Sequence, residues 1–399
     1  MILLLGCSSI GEVTATTSED ISTVVTVSWT TDRPTSGSVR YLDRETPPTP
    51  VGTEHTAYLM APAEESFDFT VVVDGDESAH EAETNALPVG LPAFQVTGRG
   101  HKGLMAVPVI GASNAALVLD GEGRIVWYRL EDRDLDVYRA RLSVDGTSLL
   151  YNAASVSGDP DEDSEIVRVR LDGSKVTPIS IPLLAHDFVE HDDGTIAAMV
   201  VEYRDGLRGD ALLEIAPDGT QTEVWSAWDC WEVDATLEDA DQGWTFANAL
   251  DIDGDGYLLS LRNFSSIARI SDRACDWVFG DVGATFGPDA GSASFLHQHQ
   301  FERFDDRLLV FDNEGLAGSR SRVLEYRLDV DAGTAEEVWR YEPDPAQYSF
   351  VLGDVARLED DTLVTWSAQG RIDRVSDGEP IWTLETPVGS VFGFNTVVP

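Results

Sequence analysis

Lysine is nearly missing from this sequence: Lys102 and Lys175 are the only two in 399 residues, and 27 Lys+Arg face 71 Asp+Glu, for a net charge of −44. That balance excludes a nucleic-acid binder, because nothing on such a surface neutralises a phosphate backbone. It also excludes docking to anionic lipid through basic patches. An acidic, Lys-poor surface fits a salty extracytoplasmic setting, although high-GC codon usage yields the same arginine bias. Long apolar runs are lacking too, with no segment near the ~20 residues that a membrane span requires. Cysteine is scarce, at three residues, and without CxxC or HxxxH spacing a metal site is not expected. No long helical pattern occurs. What is present is a globular composition, 42% hydrophobic, with 34 glycines and many Asp-Gly pairs, which points to an all-β fold.

Near the start, Leu4-Leu5-Gly6-Cys7 resembles the lipobox of bacterial lipoproteins, in which the cysteine is acylated after signal cleavage. The apolar run is four residues instead of the ~7–15 of a signal peptide, and no basic segment precedes it. With the polar Ser/Thr stretch that follows, residues 1–12 are expected to form a lipoprotein-type segment and tether. This implies an exported chain, periplasmic or on the outer membrane, that meets lipid only through an anchor at Cys7. The two other cysteines, Cys230 and Cys275, suggest one disulfide in an exported protein. Closing their 45-residue separation is worth about 4 kcal/mol on the chain-entropy model. A pair of buried free thiols is the alternative.

Residues 13–80 read as a small β-sandwich, with alternating strands at 24–32, 38–42 and 67–73 and a turn at Asp74-Gly75. Trp29 followed by Thr30-Thr31-Asp32-Arg33-Pro34 resembles fibronectin type III and related Ig-like modules. Residues 81–94, with Pro88, Gly90 and Pro92, form the expected linker. From 95 to 399 the chain repeats itself. Strands converge on acidic turns at Asp145, Asp192, Asp253, Asp305 and Asp360, and a second motif places tryptophan at Trp127, Trp225, Trp277, Trp339 and Trp382. Four short strands per ~50 residues is the arithmetic of a β-propeller, and about six such units fit. The tail at 391–398 is expected to close the ring. A β-solenoid is the alternative, but its repeats are shorter.

The repeat supplies a register. His186 and His299 stand at the same place before their turn acids, Asp192 and Asp305, and Asn248 falls within one residue of that ring. Arg139 and Gly353 occupy equivalent places, and the returning strands bring Arg262, Asp312-Asn313 and Ser367. Two imidazoles, a guanidinium and an amide suit an oxyanion: a forked donor, a neutral donor, and a nucleophile or acid/base. Each also has a plain structural reading as a core residue or, for Arg262, as a carboxylate's partner. His191 is expected in solvent beside its turn, and His297 on the strand face of His299 as a partner. Asp251–Gly256 opens like a calcium loop, but the twelfth position is Arg262 and not the bidentate Glu, so an acidic hairpin is expected. Asp159–Glu165 reads as a solvated acidic loop.

At these residues the sequence resembles the bacterial arylsulfotransferases. The matching stretches are AHDF at 185–188 with HDDGT at 191–195, Asn248 with IDGDGYLLSLRNFSSIARI at 252–270, HQHQF at 297–301 with LLVFDN at 308–313, SRVLEYRLD at 321–329, and LGDVARLEDDTLVTW at 352–366. The resemblance implies a six-bladed β-propeller after an Ig/fibronectin III-like sandwich. It also implies sulfuryl transfer from an aryl sulfate to a phenol without a nucleotide donor, a metal or an organic cofactor. His299 would be the nucleophile that becomes sulfo-histidine, with Arg262, Asn248 and His186 on the sulfuryl oxygens. One departure is specific: the family commonly carries a histidine two residues before the Asn, where this chain has Phe246. The net negative charge further requires local positive potential, expected from Arg262 and Arg139. The competing reading is a non-catalytic propeller lipoprotein that binds a small anion or a protein partner in the same channel. A lactonase-like hydrolase is a third, but it needs a Glu/Asp/Asn metal cluster that the sequence does not display.

Overall fold

The computed structural model describes residues 8–100, 102–133, 135–155, 163–232, 243–315 and 318–398. Leu4–Cys7 and most of the 159–165 loop lie outside them. At the end of that loop Glu165 is not solvated but ion-paired to Arg133 at 2.9 Å.

The N-terminal unit has seven strands: β1 (Ile10–Thr17), β2 (Val24–Thr35), β3 (Ser38–Tyr41), β4 (Arg44–Glu45), β5 (Gly52–Met60), β6 (Ser66–Val73) and β7 (Asp76–Glu83). They form two sheets, ordered β1-β2-β5 and β4-β3-β6-β7. Alternation decides which side chains meet between them, since every second residue of a strand faces one side. Val25, Val27 and Trp29 of β2, Val39 and Tyr41 of β3, and Phe67, Phe69, Val71 and Val73 of β6 make one buried cluster. The unit is seated on the rest of the chain. Ile21, Val24 and Met60 join the core of the following sheets, and the Ser22 amide donates to the Tyr128 hydroxyl at 2.9 Å.

Among the described residues, six antiparallel sheets follow, each built from strands consecutive in sequence. Their first strands are Leu104–Gly111, Asp136–Leu142, Leu184–Glu190, Ala247–Asp253, Phe301–Phe304 and Asp354–Arg357. The two chain ends cross between sheets. Gln95–Gly98 adds an outer strand to the sixth sheet, while Ser390–Phe392 and Thr396–Val398 both pair with Leu104–Gly111 of the first. The expected terminal strand is therefore present, as two short pieces.

The tryptophan motif has a geometric basis. In five sheets the ladder to the outer strand slips by one residue next to the tryptophan, at Trp127, Trp225, Trp277, Trp339 and Trp382. In each case the residue immediately before the tryptophan is left unpaired, and such bulges bend and twist the strand. Trp127, Trp225 and Trp382 are thereby turned into the core, at 0–1% exposure.

Cys230 and Cys275 are joined, with Cα atoms 5.9 Å apart. Cys230 ends the 3-10 turn after the third sheet, and Cys275 lies in the last strand of the fourth. The bond thus ties neighbouring sheets at their outer edges. Replacing both cysteines with serine is expected to lower the unfolding free energy by up to about 4 kcal/mol. Urea denaturation reads this directly, and an unmoved midpoint would show that the bond contributes nothing.

Candidate functional site

The first strands of the second, third, fourth and sixth sheets meet at a buried ion cluster. Arg139 of the second sheet clasps Asp187 of the third through Nε–Oδ1 at 2.9 Å and Nη2–Oδ2 at 3.0 Å. Asp187 also accepts from the Leu250 amide of the fourth sheet at 3.2 Å and from Gln300 Nε2, next to the fifth, at 3.0 Å. Arg139 Nη1 reaches Asp354 of the sixth sheet at 3.4 Å and donates to the Asn395 carbonyl, in the tail on the first, at 2.7 Å. All six sheets therefore contribute to one cluster.

The side chains beside this cluster are aimed by irregularities in the strands. Ladder slips occur between Val137 and Ala140, Leu184 and Phe188, and Ala247 and Ala249, which bracket Arg139, His186 and Asn248. A bulge leaves backbone amides unpaired, and here side chains satisfy them: Asn152 Oδ1 accepts from the Tyr138 and Arg139 amides, and Asp210 from Ala247. A left-handed residue precedes the entry of the third to sixth sheets into the centre, at Leu183 (φ 63°), Phe246 (φ 48°), His297 (φ 51°) and Leu352 (φ 54°). Such backbone in bulky residues costs about 1–3 kcal/mol apiece and persists only where packing imposes it.

His186, Arg262 and His299 come together around two phenylalanines. The His186 ring lies 5.3 Å from Phe246 and 6.4 Å from Phe394, and His299 lies 6.3 Å from Phe394. The Arg262 guanidinium sits over Phe246 at 5.2 Å, and that of Arg208 at 5.8 Å. All three of His186, Arg262 and His299 are 3–5% exposed. Burial, then Arg208, pushes the His186 imidazolium down to about 3. Burial, then the Arg262 charge, holds His299 well below the ordinary histidine value. Both imidazoles are thus neutral at pH 7, and the positive charge beside them belongs to arginine. Among the described residues, His186 Nδ1 is buried with no hydrogen-bond partner. His299 Nδ1 is 2.9 Å from Asn313 Oδ1.

Among the other residues, some depart from expectation and some keep to it. Arg139 is spent on the Asp187 carboxylate in a bidentate pair and is not offered to an anion. His297 is not on a strand face with His299 but in the left-handed turn before it, its amide donating to Ser265 Oγ at 3.2 Å. His191 is half-buried, not solvated, and its Nε2 is 2.7 Å from the Tyr257 hydroxyl. Asn248 spends an N–H on the Gln298 carbonyl at 2.8 Å. Asp312 binds the Leu296 and Glu314 amides and Arg322, and Ser367 Oγ accepts from the Gly353 amide, so these are structural. Asp253–Gly256 is a hairpin braced by Arg269, which bonds Asp253 and Asp255. Arg208, Phe394 and Tyr138 were not singled out by the repeat, since none stands at the histidine register.

Comparison with known proteins follows the same lines. The Arylsulfotransferase (ASST) family model matches residues 95–383. No curated protein sequence matches the chain. Among solved structures, the β-propeller domain of Cps50 (Swd1) from Myceliophteria thermophila is similar at 11% identity and a TM-score of 0.44, over 74% of this chain and 90% of that one. The C-terminal WD40 domain of Sif2 is similar at 10% identity and a TM-score of 0.39, over 97% and 88%. A protein of unknown function from Bacteroides thetaiotaomicron is similar at 14% identity and a TM-score of 0.30, over 96% and 99%. These likenesses are weak, and no residue's role rests on them.

The ion cluster carries a surplus of negative charge, with Asp187, Asp251 and Asp354 around Arg139 and Arg141. Asp187 holds the bidentate pair and stays ionised, while burial pushes Asp354 up to about 7. In the folded state Asp354 keeps a proton that the unfolded chain, at its ordinary value of 3.8, has lost. Its contribution to stability is therefore present below about pH 4 and is lost as pH rises to about 7. Asp354→Asn should remove this dependence. The melting-temperature difference between wild type and variant should change between about pH 5 and 7.5, and a constant difference would refute the assignment.

Proposed function

The chain belongs to the arylsulfotransferase family, and on that premise we propose that it moves a sulfuryl group from an aryl sulfate to a phenol through a sulfo-histidine at His299. The setting is a six-bladed propeller, one blade per sheet, behind an Ig/fibronectin III-like sandwich, in an exported chain held to membrane by lipid at Cys7. The strand orders β1-β2-β5 and β4-β3-β6-β7 support the sandwich assignment, and the six successive sheets, linked through Asp187 and Arg139, support the blade count.

One observation carries the reaction: a buried imidazole kept neutral beside a guanidinium, which is a nucleophile next to a site for anionic charge. A lone pair of His299 attacks sulfur, the sulfur–oxygen bond to the aryl group breaks, and the aryl oxygen leaves with the electron pair. Arg262 balances charge on the sulfuryl oxygens, with His186 and Asn248 as neutral donors. The oxygen of a second phenol then attacks sulfur and gives up its proton to solvent, the sulfur–nitrogen bond breaks, and the imidazole is restored.

His186, held near 3, carries no spare proton at pH 7, and Phe246 has none. The leaving group therefore departs as phenolate, which favours aryl sulfates of acidic phenols. Incubation with 4-nitrophenyl sulfate should add one sulfuryl group to the intact mass, on His299, and addition of phenol should remove it. His299→Ala should abolish both steps. Because His299 is already neutral, kcat/KM for the donor should not fall between pH 7 and 5, whereas an ordinary histidine would lose activity near 6.5. The substitution at Phe246 favours a second reading, a non-catalytic module that binds a small anion or a protein partner. Binding of the ester with no mass gain and no nitrophenol release would decide for it.

A further inference from the structure

We infer that Asn313 is a positioning residue that selects the tautomer of His299 and leaves Nε2 as the nucleophilic atom. This rests on the reaction proposed above but is read from separate contacts. Asn313 is 1% exposed and immediately follows the second strand of the fifth sheet, Arg307–Asp312. Its Nδ2 donates to two backbone carbonyls, Ser349 at 2.6 Å and Leu352 at 2.8 Å. A carbonyl only accepts, so both amide hydrogens are committed and the amide cannot be turned over. Its Oδ1 must then face His299 Nδ1, at 2.9 Å. That oxygen is also only an acceptor, so Nδ1 carries the hydrogen. A neutral imidazole has one N–H, and the lone pair is left on Nε2.

The two carbonyls are themselves held. The Ser349 amide donates to Ser321 Oγ at 3.0 Å, and Ser349 Oγ accepts from the Ala368 amide at 2.9 Å. Leu352 is in the left-handed region and packs with Tyr138 and Phe394, the same ring that lies against both histidines. The path from sheet six to His299 is therefore rigid at each step: loop carbonyls orient the amide, and the amide orients the proton. Both amide hydrogens of Asn313 are held by backbone carbonyls and its oxygen faces the imidazole, so it acts through His299. The comparable device in serine hydrolases, an acceptor behind histidine, costs about 10⁴-fold when the wrong tautomer results.

The test is the protonation state of each ring nitrogen, by long-range proton–nitrogen spectra of protein labelled with [15N]histidine, His299 being assigned by loss of its signals in His299→Gln. Wild type should show Nδ1–H with bare Nε2. Asn313→Ala should admit the Nε2–H form and lower kcat ~100-fold or more, with KM for 4-nitrophenyl sulfate within a few-fold. Asn313→Asp keeps the acceptor, so Nδ1–H should persist, but its charge should raise the His299 pKa and introduce an acid limb in the pH profile. If the variants fail to fold, the wild-type spectrum still decides. Nε2–H in wild type, or an unchanged tautomer in Asn313→Ala, overturns the inference. The expected spectrum in a protein without turnover would sink the reaction and leave the tautomer assignment standing.

Discussion

The structure depends on the Asp187 carboxylate. It is fully buried, and an isolated charge there would cost several kcal/mol. It is tolerable because Arg139, Arg141, Gln300 and the Leu250 and Phe188 amides all donate to it. Those donors come from four different sheets, and Arg139 carries the connection on to Asp354 and the C-terminal tail. Forming one ion pair thus requires distant segments to be in register at once. The candidate site inherits that register: His186 precedes Asp187, His299 precedes Gln300, and Asn248 is two residues from Leu250. Breaking the cluster would move the histidines along with the strands.

Regular strands alone would not build this site. Alternation sends successive side chains to opposite faces, so a first strand offers its neighbours every second residue only. The slips around Arg139, His186 and Asn248 release adjacent residues from that rule. His186 can then face the aromatic wall while Asp187, next in sequence, faces the ion cluster. The left-handed residues perform the same service at the entrances of the third to sixth sheets, and Phe246 and Leu352 serve twice, as turn and as wall.

Much of this was readable in the amino-acid sequence, and the reason is repetition. Acidic turns and the tryptophan motif recur because each sheet solves the same packing problem, so the all-β organisation was legible, and the shared register of His186 and His299 matches their common packing on Phe394. The tryptophan motif even marks a bulge, although nothing in one chain says so before the ladder is seen. What escaped is what breaks the repeat. His297 reads as strand by spacing, yet its backbone turns left-handed before His299. Arg139 reads as an anion donor by residue type, but its function is decided by Asp187 and Asp354, which lie 48 and 215 residues away. His191 reads as solvated because it borders a turn, and only the neighbouring sheet reveals Tyr257.

The opposition between a chain of −44 and an anionic ester resolves with depth. Exposed carboxylates are screened within about 8 Å at physiological ionic strength, whereas charges in a dry interior are not. At the site the near charges are Arg262 and Arg208, and both act on the imidazoles as well as on any anion. In the proposed reaction, the same field that would attract a sulfuryl oxygen therefore drives protons off the histidines. An imidazolium would bind the ester and have no lone pair with which to attack it. In the proposed reaction, placing the charge on arginine and keeping histidine neutral separates binding from nucleophilicity. Phe246 fits that division, since an apolar ring between guanidinium and imidazole strengthens the field each feels from the other.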